Sequence, residues 1–218
     1  MAEETREREV RIDRNLNLIL PIERDDGVVL FAHSSPIDEA VFIAYHRPLN
    51  MTYAQLDADG LIRSGGIRNA DLILKDVCER IGAWKDEPTE KRIGVERGLL
   101  AEIRRLTNVF VPTEKGWQMV GLDDCVRGEF LSQREAREVQ AGAVFFTCAS
   151  RNFPRQNLKE FLQLCSGRIG ALVSYSSCTE FQSSLPTLTA GESSGATAAA
   201  WWDKYSSPAP PASDSAKS

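Results

Sequence analysis

The chain has 218 residues, 42% hydrophobic and 26% charged side chains and a net charge of −5, the composition of a globular protein that can bury a core. Its acidic balance argues against nucleic acid as the main partner, because phosphate neutralisation needs a basic surface. The N-terminal MAEETREREVRIDR lacks the apolar core of a secretory signal, and no stretch reaches the ~20 apolar residues of a membrane span, so a cytosolic protein with no membrane partner is expected.

Residues 1–14 alternate acidic and basic side chains with little to bury and read as a flexible charged arm. NLNLILPI then places Leu16, Leu18 and Leu20 on one face of an extended strand. Arg24-Asp25-Asp26-Gly27 supplies turn chemistry and VVLFAH returns, which predicts a β-hairpin. Pro21 cannot donate to a ladder, so its strand should lie at an edge or end there.

Ser35-Pro36-Ile37-Asp38 reads as a helix start, with Ser35 as N-cap and Pro36 at the first helical position, and the helix should stop before Pro48. Thr52 and Gln55 restart it, with Met51 and Leu56 placed to form a hydrophobic staple. Ser64-Gly65-Gly66 breaks the pattern. Ile67, Ala70, Leu74, Val77 and Ile81 then step by three and four along a core helix that stops near Gly82. Lys85 to Arg97, with Pro88 and many charges, is expected to be a surface loop.

The clearest amphipathic pattern is GLLAEIRRLTNVFV, residues 98–111. Leu99, Leu100, Ile103, Leu106 and Phe110 recur at helical spacing, with Glu102, Arg104, Arg105 and Asn108 mainly opposite. Leu106 is expected to be the costliest of these to truncate. Pro112 should end this helix, and Gly116 to Val120 reads as a short isolated strand in which Trp117 is a packing residue. Ser132 and Glu135 form a capping box before a helix with Ala136, Val139, Ala143 and Phe146 on one face. Asn157 and Glu160 open a last helix with Leu158, Phe161, Leu162, Cys165, Ile169 and Leu172 as its stripe, interrupted by Gly167 and Gly170.

From Ser183 onward the composition turns to Ser, Ala, Thr and Pro, which predicts a disordered tail over 183–218. Within it Trp201, Trp202 and Tyr205 stand close together. In a segment with no core to bury them they form a candidate partner-binding motif, with folding back onto the body as the alternative.

Motifs for chemistry are missing. No G-x-x-x-x-G-K-[ST], G-x-G-x-x-G, H-E-x-x-H or G-x-S-x-G occurs, so no cofactor and no catalytic or metal site is expected. The five cysteines, Cys78, Cys125, Cys148, Cys165 and Cys178, are widely spaced without a C-x-x-C pair and read as reduced and structural. Pairing of one of them with His33 or His46 as a nucleophile is a minor alternative. Asp25-Asp26 and Asp123-Asp124 stand at turn or helix-start positions, where acids are expected for capping alone.

The order of several segments resembles a tail assembly chaperone family of long-tailed bacteriophages. They are Arg14-Asn15-Leu16-Asn17 leading into Ile19-Leu20-Pro21-Ile22-Glu23-Arg24, then His33-Ser34-Ser35-Pro36-Ile37, GLLAEIRRLTNV at 98–109, Cys178-Thr179-Glu180-Phe181, and Ser183-Ser184-Leu185-Pro186-Thr187. The resemblance spans most of residues 14–190 and does not include the Trp201-Trp202 tail. It implies a non-enzymatic protein of the host cytoplasm that keeps the long helical tape-measure protein soluble, helps tail-tube subunits assemble around it, and is absent from the mature virion. Members are often extended by a programmed frameshift. Two rivals are a minor tail or completion protein that stays in the virion and a host-directed interaction protein working through Trp201, Trp202 and Tyr205. The expected architecture is α+β and mostly α-helical: one domain over 15–182 with an N-terminal β-hairpin followed by a bundle of about five helices.

Overall fold

A computed structural model describes residues 10–13, 15–24, 29–63, 65–85, 88–113, 116–152, 173–175 and 177–185, with the single positions 157 and 160. The chain is a mixed α+β protein, mostly helical. Its strands are β1 (Val10–Ile12), β2 (Leu18–Glu23), β3 (Val29–Ser34), β4 (Thr107–Thr113), β5 (Gly116–Gly121) and β6 (Val173–Tyr175). Among the described residues the α-helices with defined bounds are α1 (Glu39–Ala58), α2 (Gly66–Trp84), α3 (Thr89–Arg105), α4 (Leu122–Arg127), α5 (Gln133–Asn152) and α6 (Cys178–Ser184).

The strands form one sheet in the order β5-β4-β3-β2-β1-β6, antiparallel throughout except for the parallel β1-β6 pair. The predicted hairpin is β2-β3, with Leu18 opposite Ser34 and Glu23 opposite Val29. Pro21 lies inside β2. It is tolerated because β1 pairs only with Leu18 and Ile19, so the part of β2 that holds Pro21 lies beyond the β1 ladder.

Alternation along each strand divides its side chains between two faces. Leu18, Leu20, Ile22, Leu30, Ala32, Val109, Val111 and Val120 join the large core under the helices, together with Val10 and Ile12 of β1. The helices are layered against this face, which corrects the expected bundle. α5 packs between β2 and α2, and α2 in turn carries α1 and α3. Burial explains the composition of α5, since every residue from Ala141 to Ala149 is buried. Gly142 marks its closest approach to the sheet, where an added Cβ would stand 2.8 Å from Leu20 Cδ1.

Several sequence expectations are corrected. The arm is not flexible throughout, because Val10–Ile12 pairs on both sides. The cap of α1 is Asp38, whose Oδ1 accepts from Val41 N at 2.8 Å, while Ser35 N donates to Leu106 O at 3.0 Å. α1 continues through Pro48 as a single helix, and Pro48, Leu49, Thr52 and Leu56 are its buried residues, so packing holds the two turns in one element despite the missing N–H. α2 runs past Gly82 to Trp84. Residues 89–97 are the first half of α3, built from Glu, Lys and Arg that favour helix even without an apolar stripe.

The expected helix over 98–111 is two elements. Leu99, Leu100 and Ile103 lie in α3, Leu106 is its C-cap, and Phe110 belongs to β4 and points to the opposite face of the sheet. The strand after Thr113 is not isolated, because β5 pairs with β4 along its whole length. The capping box at Ser132 and Glu135 forms as expected: Ser132 N donates to Glu135 Oε2 at 2.7 Å and Glu135 N to Ser132 Oγ at 3.2 Å. The tail boundary shifts, since Ser183 and Ser184 belong to α6. Of the helix expected from Asn157 only positions 157 and 160 are described, both helical; the rest of it, the turn at Asp25 to Gly27, and Trp201, Trp202 and Tyr205 lie outside the described residues.

Leu99 is fully buried whereas Leu106 is only partly so. Leu99→Ala is therefore expected to lose about 2–5 kcal/mol and Leu106→Ala roughly 1 kcal/mol. Urea unfolding midpoints at unchanged slope measure the difference, and a larger loss at Leu106 would contradict this assignment.

Candidate functional site

The face of the sheet turned away from the long helices carries its own apolar cluster: Ile19, Phe31, Phe110 and Phe181, with Val29, Trp117, Cys178 and Leu185 packed around them. Strand register brings these residues together. Ile19 stands opposite Arg11 and His33, Phe31 opposite Phe110, and Phe110 opposite Met119.

Over this face lies α6. Its capping box is complete, with Glu180 N donating to Ser177 Oγ at 3.2 Å and Ser177 N to Glu180 Oε2 at 3.0 Å. Its one buried side chain is Phe181. The ring meets Phe31 edge-on at 4.8 Å and Phe110 at 5.5 Å between centroids, and the Arg11 guanidinium carbon sits 4.7 Å from its centre. At the C-terminal end of α6, Gln182 Nε2 donates to Trp117 O at 3.1 Å. Burying one Phe contributes about 1.5–3 kcal/mol, and edge-on aromatic pairs add roughly 0.5–1.5 kcal/mol. This is modest anchoring for a whole element.

The loop from β1 to β2 closes one side. Asp13 Oδ1 accepts from Asn15 N and Asn17 N at 2.8 and 2.9 Å, and Oδ2 from Asn17 Nδ2 at 2.7 Å. These bonds hold Leu16 in the left-handed region at φ 64°. Asp13 is close enough to act electrostatically on both His33 and Cys178.

His33 is the unusual polar group of this face. It is 7% exposed, its ring lies 6.5 Å from that of Phe110, and neither ring nitrogen has a hydrogen-bond partner. Burial lowers its pKa below the ordinary value, and the Asp13 charge opposes that only in part.

The other residues that stand out in the sequence are dispersed. Leu99, Leu100 and Ile103 belong to the helical core, and Phe110 alone of that group reaches this face. His46 sits on α1, across the sheet from His33, with Nδ1 2.9 Å from Ile43 O. Burial pushes the thiols of Cys78, Cys125 and Cys148 up to about 12, with smaller contributions from Glu96 beside Cys78 and Asp124 beside Cys125. Such thiols are poor nucleophiles at neutral pH. Asp123 of α4 pairs with Arg104 of α3, and Asp124 pairs with Arg127 one turn along α4, so these acids serve helix packing and helix support. The described residues contain no group of three or more His, Cys, Asp or Glu placed to hold a metal, and no helix among them is long and apolar enough to cross a membrane.

Local patterns in the sequence do not single out Ile19, Phe31, Arg11 and Phe181. The signal that could find them is the unbroken apolar runs of the strands, which leave no polar face, and the S-x-x-E pattern at Ser177 and Glu180. No family model matches the chain, and no curated protein or solved structure matches it either.

Because the folded state holds His33 with a lowered pKa, the unfolded chain binds the extra proton first. Stability should be complete above the ordinary histidine value and fall as pH drops through it. His33→Leu is expected to remove that acid-side loss and to raise stability by about 1 kcal/mol at pH 7.5, since it replaces an unsatisfied buried polar group. Denaturant midpoints at pH 7.5 and 5.5 read the difference, and equal pH slopes in both proteins would contradict it.

Proposed function

We propose that this chain is a phage tail assembly chaperone: a non-enzymatic protein of the host cytoplasm that binds the tape-measure protein, keeps it soluble and promotes tail-tube assembly around it. One observation carries this reading. Parts of the segments that bear the family resemblance are far apart in sequence and still meet on the outer face of the sheet, where Ile19, Phe181, Cys178 and Leu185 share one cluster, while Leu99, Leu100 and Ile103 of the same segments lie in the helical core. Asn15 to Asn17 form the loop held by Asp13. His33 sits in β3 beside Asn108 of β4, which closes the GLLAEIRRLTN run, and Phe181 of the CTEF segment docks on Phe31 and Phe110, which lie two residues before His33 and one after Val109. Apolar segments that meet in space in this way fit a binding surface better than an active site.

The physics of the task supports the same reading. A tape-measure chain exposes long apolar helical stripes that pair indiscriminately, and an apolar sheet face offers them an alternative partner. The net charge of −5 helps to keep such a complex dispersed.

Co-expression with the tape-measure protein of the same genome tests the proposal. The expected result is a soluble tape-measure protein that co-purifies in fixed stoichiometry and a chaperone absent from purified particles. Insolubility regardless of this chain, or its presence in the virion, would favour the structural rival.

A further inference from the structure

α6 covers the outer face of the sheet incompletely. It buries Phe181 and leaves Thr179, Glu180, Gln182, Ser183 and Ser184 exposed. Seven residues are too few for a helix that is stable by itself, so its form depends on docking and on its capping box. On the same face, 6.5 Å from the Phe110 ring, the buried His33 has no hydrogen-bond partner for either nitrogen. Apolar surface also continues past α6, because Met119, on the same face as Phe110, is 41% exposed.

From these features we infer that the outer face, lined by Ile19, Phe31, Phe110, Trp117 and Met119, is a docking groove for one amphipathic helix of the tape-measure protein. In the free chain α6 occupies the groove as a displaceable latch. This inference rests on the chaperone reading above. The helix already seated there defines the chemistry of the partner. It carries an aromatic side chain in the place of Phe181, edge-on to Phe31 and Phe110 and beside the Arg11 guanidinium, a hydrogen-bonding side chain that reaches His33, and a further apolar residue over Met119. A helix longer than α6 replaces it because it buries surface that α6 leaves open. Docking of α6 and of the partner is mutually exclusive, so the fraction of chain with an undocked α6 sets the apparent affinity.

The test uses the full chain, its Phe181→Ser and Met119→Arg variants, the tape-measure protein and a labelled peptide of residues 176–187. The peptide is expected to bind Phe181→Ser roughly tenfold or more tightly than the wild type, whose groove is filled. Phe181→Ser is expected to bind the tape-measure protein more tightly by a similar factor, with the peptide competing. Met119→Arg is expected to weaken that complex without changing thermal stability, because the side chain is exposed. Should Phe181→Ser unfold by circular dichroism, Ser177→Ala removes only the α6 cap and is expected to tighten binding severalfold.

Rescue of the tape-measure protein by the wild type, with no effect of either variant or of the peptide, would overturn the groove and leave the chaperone reading standing. Failure of every form to rescue it would overturn both. Dimers of Phe181→Ser that block the peptide would show that a second copy is the occupant, which also overturns the inference.

Discussion

In the central strands, apolar residues follow one another without a polar alternate. Ile19 lies between Leu18 and Leu20, Phe31 between Leu30 and Ala32, and Phe110 between Val109 and Val111, and all nine are buried. A strand with this pattern exposes apolar surface on both faces, so the sheet has to be covered twice. The helical layer meets the first demand. α5 lies against β2 at a glycine, with small residues around it, and α2 closes over α5. Among the described residues the second face receives only α6. That asymmetry sets a layer of long helices on one side against a seven-residue helix with one fully buried side chain on the other.

Much of the helical layer is legible in the sequence because its signals are local. The stripe of Ala70, Leu74, Val77 and Ile81 and the capping box at Ser132 and Glu135 need only neighbours three or four residues away. Local reading fails where tertiary context decides. GLLAEIRRLTNVFV satisfies a helical period to its end, yet the free edge of β3 captures its β-branched second half as a strand, and Thr107 marks the switch with hydrogen bonds to Ile103 O and to the Ser34 hydroxyl. Pro48 reads as a terminator, but burial of Leu49, Thr52 and Leu56 on one stripe holds the helix together through it.

The candidate site is legible in pieces only. Its segments carry the resemblance one at a time, and Phe110 fits the helical stripe of residues 98–111 although it serves the opposite face of the sheet. What brings Phe31, Phe110 and Phe181 together is strand register plus the return of the chain some 70 residues after β4, and neither can be read from local periodicity. The aromatic motif at Trp201, Trp202 and Tyr205 is conspicuous in composition. The side chains that form an organised surface are less conspicuous, since in sequence they look like ordinary core.

Hydrogen exchange read by mass spectrometry, on the free chain and on its complex with the tape-measure protein, tests the displaceable cover most directly. Amides of residues 178–184 should exchange quickly in the free chain, at rates far above those of α5, and should exchange faster still in the complex, while β3, β4 and β5 become more protected. Slow exchange in α6 that partner binding leaves unchanged, with new protection confined to the exposed surfaces of α1 and α2, would contradict this account and place the binding surface on the helical side.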